Sequence, residues 1–97
     1  MKAYELLFFL PPILEDQVRL EVIERVKEVI TSNEGQVDNV DEWGKRKLAY
    51  EINNLTEGDY VLVDFHAKPE FISELDRVLR INDHVQRHMI TSRSDRD

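Results

Sequence analysis

The hydrophobic positions change period several times along the chain, and each change marks a new element. Between Ala3 and Leu10 the side chains alternate, with Tyr4, Leu6, Phe8 and Leu10 on one face and Glu5, Leu7 and Phe9 on the other. Both faces are largely apolar, which predicts a central strand, and Pro11-Pro12 ends it because proline cannot donate to a ladder. From Leu14 the period lengthens. Val18, Val22, Val26 and Ile30 fall four apart, with Ile23 and Val29 widening the stripe, so an amphipathic helix is expected, with Asp16 as its cap and Asn33 to Gly35 as its stop. The acids Glu15, Asp16, Glu21, Glu24 and Glu28 read as its solvated face.

Val37, Val40 and Trp43 are three apart, which suits neither a regular strand nor a helix, whereas Leu48, Tyr50 and Ile52 alternate. A bulge or bend is implied, and Gly44 is the expected place for the change of register. Asn53 to Asp59 has turn chemistry, and Tyr60 to Ala67 alternates again, predicting a long antiparallel hairpin. Pro69 suits the first turn of a second helix with the stripe Phe71, Ile72, Leu75, Val78 and Leu79, closed by Asn82-Asp83. Val85 to Thr91 reads as the last strand. The remainder is expected to fray, which gives a single domain over 1–92 and a short polar tail over 93–97.

The order strand, helix, strand, strand, helix, strand is the split βαβ pattern. It predicts an α+β, ferredoxin-like βαββαβ sandwich: a four-stranded antiparallel sheet, first and third strands central, both helices on one face. The other face stays open. If Val61, Val63 and Phe65 point to the helices, Leu7 and Phe9 lie beside Tyr60 and Leu62 on that open face and form an apolar patch suited to a protein partner.

Composition narrows the function. A chain of 97 residues holds one domain, and the absence of cysteine excludes disulfides and thiol chemistry. His84 and His88 are four apart but fall on a predicted turn and strand rather than on one helix face, and His66 lies elsewhere, so neither metal nor cofactor is expected. Leu6 to Leu10 is too short for the apolar part of a signal peptide or for a membrane span, so no membrane partner is expected and the sequon Asn54-Leu55-Thr56 reads as loop polarity. No phosphate loop, nucleophile elbow or informative carboxylate pair occurs, and where acylphosphatases of the same fold carry a glycine-rich loop this chain has Pro11-Pro12-Ile13. A net charge of -7, from 13 Lys+Arg against 20 Asp+Glu, opposes general attraction to a polyanion. Local attraction is still available, because Lys45, Arg46 and Lys47 stand together with no acid among them. The competing role for such a cluster is to block edge-to-edge strand pairing. Arg80, Arg87 and His88 are candidates to extend a basic surface, although cations at a helix end also complement the helix dipole.

Three stretches together carry a resemblance: Met1-x-x-Tyr4-Glu5, then Gly44-Lys45-Arg46-Lys47-Leu48-Ala49-Tyr50-Glu51-Ile52, then Leu79-Arg80-Ile81-Asn82-Asp83-x-Val85-x-Arg87-His88-Met89. In kind and order they are similar to the bacterial small-subunit ribosomal protein six (S6) family over nearly the full length. The resemblance implies a cytoplasmic ribosomal protein without enzymatic activity that binds small-subunit ribosomal RNA cooperatively with ribosomal protein eighteen (S18) during assembly of the subunit's platform. It carries the RNA-binding role to Lys45, Arg46 and Lys47, and to Lys2 as the basic start. The acidic chain is expected to be a monomer when free and to bind RNA tightly only beside a basic partner. Two other classes stay open: an RNA-recognition-motif-like binder of single strands, which would stack bases on Phe9 and Tyr60, and a regulatory ferredoxin-like homodimer that buries the open sheet face against its own copy.

Overall fold

The computed structural model describes residues 1–52 and 55–96, and over 44–52 and 55–58 it describes the backbone alone. Asn53, Asn54 and Asp97 lie outside the described residues, and with Asn54 so does the asparagine of the sequon. The elements are β1 (Lys2–Leu10), α1 (Asp16–Ser32), β2 (Gln36–Ile52), β3 (Leu55–Ala67), a 3-10 turn (Pro69–Phe71), α2 (Ile72–Ile81), β4 (Arg87–Ser92) and a closing 3-10 turn (Ser94–Arg96). The strands form one antiparallel sheet in the order β2-β3-β1-β4. This is the ferredoxin-like sandwich that the element order predicts, with β1 and β3 in the centre.

One layer of apolar side chains holds it together. Tyr4, Leu6, Phe8 and Leu10 of β1 and Val61, Val63 and Phe65 of β3 are buried with Val22, Ile23, Val26 and Ile30 of α1 and with Phe71, Leu75 and Leu79 around α2. The register sets Leu6 against Val63 and Phe8 against Val61, and the rings of Tyr4 and Phe65 stack at 5.6 Å. Each such side chain contributes about 1.5–3 kcal/mol on burial, against about 0–1 kcal/mol for an exposed ion pair. The core, not the many surface ion pairs, therefore fixes the fold.

The odd spacing in β2 has its expected cause. Val37 pairs with Phe65 and Val40 with Val63, so one extra residue between them returns both valines to the helix side. A second shift lies between Glu42 and Gly44, and Trp43 is the extra residue there.

Three local expectations need correction. The stretch Asn53 to Asp59 has turn composition, yet β3 already begins at Leu55. Backbone pairing with the opposite arm outweighs composition, because strands that pair beyond the sheet are held by main-chain hydrogen bonds that no apolar alternation has to announce. Asp16 is the first residue of α1 rather than its cap; Glu15 holds that position and makes no side-chain capping bond. At the other end of α1 the left-handed residue is Glu34 (φ 68°), with the Gly35 N–H donating to the Ile30 carbonyl at 2.9 Å. Glycine follows for lack of space: a Cβ on Gly35 would lie 2.7 Å from Ile30 Cγ2 and 2.8 Å from the Ile30 carbonyl oxygen. The last strand starts at Arg87 rather than Val85, because Asn82 turns the chain, accepting the His84 N–H on Oδ1 at 2.9 Å and the Val85 N–H on its carbonyl at 3.2 Å.

The tail, expected to fray, folds back instead. The Arg93 N–H donates to the Ala3 carbonyl at 2.9 Å, and the closing turn lies against the open face of the sheet through side chains described below.

Candidate nucleic-acid and partner interface

The β2–β3 hairpin is longer than the sheet it belongs to. β1 pairs with β3 from Lys2–Ala67 to Leu10–Asp59, while β2 pairs with β3 through Lys45–Asp59, Arg46–Gly58 and Lys47–Glu57. The row Lys45, Asp59, Leu10 is thus the last that three strands share. Beyond it the two arms pair only with each other, and the four residues Leu55 to Gly58 carry the ribbon about 13 Å past the sheet. The basic triplet begins at that rim and continues onto the ribbon. The side chains of Lys45, Arg46 and Lys47 themselves lie outside the described residues.

At the root of the ribbon sits an ion cluster. Asp59 is in phase with Val61 and Val63, so it points to the helix side and is buried, with 3% of its surface exposed. Arg19 of α1 meets it there: Nε and Nη2 donate to the two carboxylate oxygens, the second at 3.1 Å, while Nη1 donates to Glu42 of β2. The Asp59 hydrogen bond holds the pKa of the guanidinium above its ordinary value; burial opposes this and Glu42 adds to it. The sequence reading missed this cluster by placing Asp59 in a turn. The usable signal was parity, since a carboxylate in step with core valines requires a cation opposite.

The other proposed RNA-contacting residues fall in separate places. Arg80 and His88 converge on Asp76, at 3.0 and 2.6 Å. The His88 hydrogen bond is the main cause that holds the Asp76 carboxyl below its usual range, burial opposing and Arg80 assisting. Arg87 pairs with Phe9 across β4 and β1, at the ribbon end of the sheet, and is exposed. Lys2 opens β1 at the opposite end, eight residues and so about 27 Å from the Leu10 row. Among the described residues, Lys2 and Arg87 are the lysines and arginines that make no ion pair.

On the open face the register sets Leu7 directly opposite Leu62 and Phe9 opposite Tyr60. The Phe9 and Tyr60 rings meet edge to face at 4.6 Å, which helps leave Phe9 only 8% exposed. Two residues that sequence reasoning left out join the patch. Met89 stands opposite Leu7 on β4, 51% exposed, and Trp43 lies over Tyr60 at 5.8 Å. An exposed methionine in a short edge strand and a tryptophan at a bulge were the signals available for them.

The other half of the same face is polar and already occupied. Arg93 donates to Glu5 at 3.0 Å, and Arg96 to Asp64 at 2.6 Å and to Glu5 at 3.3 Å. His66 lies 2.5 Å from Asp38 through Nδ1 and 3.3 Å from the Arg96 carbonyl through Nε2. Asp95, chiefly, holds the Arg93 pKa above its ordinary value. The open face therefore divides into an apolar half beside the ribbon and an ion-paired half beneath the closing turn.

Fold and surface define a class: a ferredoxin-like sandwich whose long hairpin brings cations to the rim of an open, half-apolar sheet face. Comparison with known proteins makes this specific. The family model for ribosomal protein S6 matches residues 3–92. The small ribosomal subunit protein bS6 of Clostridium acetobutylicum is 51% identical over 92 residues, covering 95% of this chain and 97% of that protein. The bS6 of Clostridium novyi is 50% identical over the same length. The crystal structure of 30S ribosomal protein S6 from Thermotoga maritima superposes with a TM-score of 0.90 at 33% identity, covering 97% of this chain and 89% of that one. The chain belongs to the ribosomal protein S6 family. It is accordingly a structural, non-enzymatic ribosomal protein of the cytoplasm.

Proposed function

We propose that this chain binds small-subunit ribosomal RNA cooperatively with ribosomal protein S18 during assembly of the platform, and that it is a monomer when free. Lys45, Arg46 and Lys47 meet phosphates from the projecting ribbon, with Arg87 at the same end of the sheet. Lys2, Arg80 and His88 have at most a peripheral part, because Lys2 stands at the far end of β1 and the other two are held by Asp76. Leu7, Phe9, Tyr60 and Leu62, joined by Met89 and Trp43, offer the apolar ground for the protein partner.

The observation that supports this reading is the adjacency of the two features. A ribbon bearing three consecutive cations leaves the sheet at the edge of the apolar half-face, on a body of net charge -7. Such a body repels RNA everywhere else, so a basic partner bound on the apolar half-face would supply the attraction that three cations lack.

The test is the variant K45A/R46A/K47A, assayed on small-subunit ribosomal RNA with S18 present. RNA affinity should fall and the slope of log K against log salt should flatten by about 2 to 3, while the melting temperature stays nearly unchanged. Unaltered affinity would return the triplet to the role of protecting a strand edge. The chain alone should bind RNA weakly, and strong binding without a partner would overturn the cooperative scheme.

A single-strand RNA reading gains from Trp43, which adds a third aromatic to Phe9 and Tyr60 on one face. Tight binding of short single strands by the isolated chain would favour it. Self-association at micromolar concentration in sedimentation would favour the homodimer.

A further inference from the structure

Asp59 is the buried charged residue of the described chain, and it occupies a consequential place. It sits in the last three-stranded row, with Leu10 on one side and Lys45, the first cation of the basic triplet, in the register position on the other. A carboxylate withdrawn from water recruits whatever cation is within reach. Arg19 meets that demand from another element. Its fork binds both oxygens of Asp59 and, through Nη1, Glu42, so one guanidinium with 18% of its side chain exposed ties α1 to both arms of the ribbon at their root.

We infer that Arg19 is a positioning residue for the RNA-facing ribbon: by neutralising Asp59 and Glu42 from the helix side, it keeps two carboxylates at the root of the ribbon from competing with phosphate for the charge of the basic triplet. The inference rests on the reading of the triplet as a phosphate-binding element. It goes further in assigning a role to a residue outside the triplet, on a helix whose exposed surface carries both acids and the cations Arg25 and Lys27. Arginine suits the task better than lysine, because only its planar fork can hold the two oxygens of one carboxylate and reach a second acid.

A purely structural ion pair and a charge-sparing one differ in a measurable way. Loss of a structural pair lowers stability without changing how many phosphates the folded protein neutralises. Loss of a charge-sparing pair leaves the Asp59 carboxylate to compete with RNA for the charge of the triplet and removes the equivalent of one phosphate contact. The full chain is to be tested with S18 on small-subunit ribosomal RNA, reading the dependence of affinity on salt. R19M should flatten the log–log slope by about 0.7 to 0.9, the value of one phosphate. R19M/D59N, which withdraws the recruiting carboxylate as well, should restore the wild-type slope whatever its melting temperature. If R19M does not fold, R19Q, which keeps a donor for Asp59 without the positive charge, carries the same expectation. A wild-type slope in the folded single variant, or an unrestored slope in the double variant, overturns the inference. K45A/R46A/K47A separates the two levels: if it leaves the slope unchanged, the phosphate-binding reading fails; if it flattens the slope while R19M does not, this inference alone fails.

Discussion

Arg93 donates to Glu5 at 3.0 Å, joining residues 88 positions apart. The contact holds the closing turn on the open face, with the Arg93 N–H on the Ala3 carbonyl and Arg96 on Asp64 and Glu5. Removal of residues 93–97 should leave Glu5 and Asp64 as neighbouring, uncompensated carboxylates on adjacent central strands. The shortened chain should be less stable than the full chain at low salt, and the difference should narrow in 1 M salt, where the Debye length shrinks to about 3 Å. Thermal unfolding at two ionic strengths checks this; a salt-independent difference would assign the loss to backbone contacts instead.

Asp76 carries a pH dependence of definite sign. His88 and Arg80 depress its pKa in the folded state, so the folded protein holds this proton less tightly than the unfolded chain does. The associated stability is full above the ordinary carboxylate range and is lost as pH falls through the depressed value. Because Asp76 is partly exposed, screening limits the contribution to about 0.5–1 kcal/mol. D76N should therefore unfold at lower urea than wild type near pH 6, and the difference should shrink as pH falls below the ordinary carboxylate range.

Gly35 has no room for a side chain. G35A should lose about 1–3 kcal/mol, the usual cost of forcing a methyl into filled space, because its Cβ would press on Ile30 Cγ2 and the Ile30 carbonyl, and sit 3.1 Å from the His66 carbonyl. Urea denaturation measures it. A neutral result would mean that the α1–β2 connection shifts without strain.

The sequence disclosed the layers well and the ribbon poorly. Leu6, Phe8, Val61 and Val63 could be assigned to the helix side because alternation is a geometric necessity in a half-buried strand, and the same parity placed Leu7, Phe9, Tyr60 and Leu62 on the other side. Glu57 to Asp59 escaped because cross-strand pairing, which composition does not record, keeps them extended. The Arg19–Asp59 contact spans 40 residues and the tail contacts nearly the whole chain, so no local pattern announces either. For the same reason the basic residues, adjacent as a list, scatter in space: Lys2 lies at one end of the sheet, Arg87 at the other, and Arg80 and His88 on a shared carboxylate.

The apolar half-face separates docking from folding. Leu7 and Leu62 face away from the helices and are half-buried, so L7S/L62S should leave most of the core intact. If a partner buries what remains exposed of both side chains, the double change should weaken its binding by about 1.5–3 kcal/mol, roughly half of the full burial value for each large side chain. Calorimetry with S18, alongside the melting temperature, checks this. Undiminished binding would move the partner to another surface.

The unequal strand lengths have a consequence for how the protein can change. Rows beyond Leu10 rest on no third strand, so trimming two residues from each arm would shorten the projection by about 7 Å and remove none of the apolar layer among the described residues. Reach and durability are thus governed by different parts of one hairpin, and selection can lengthen or clip the finger without renegotiating the palm.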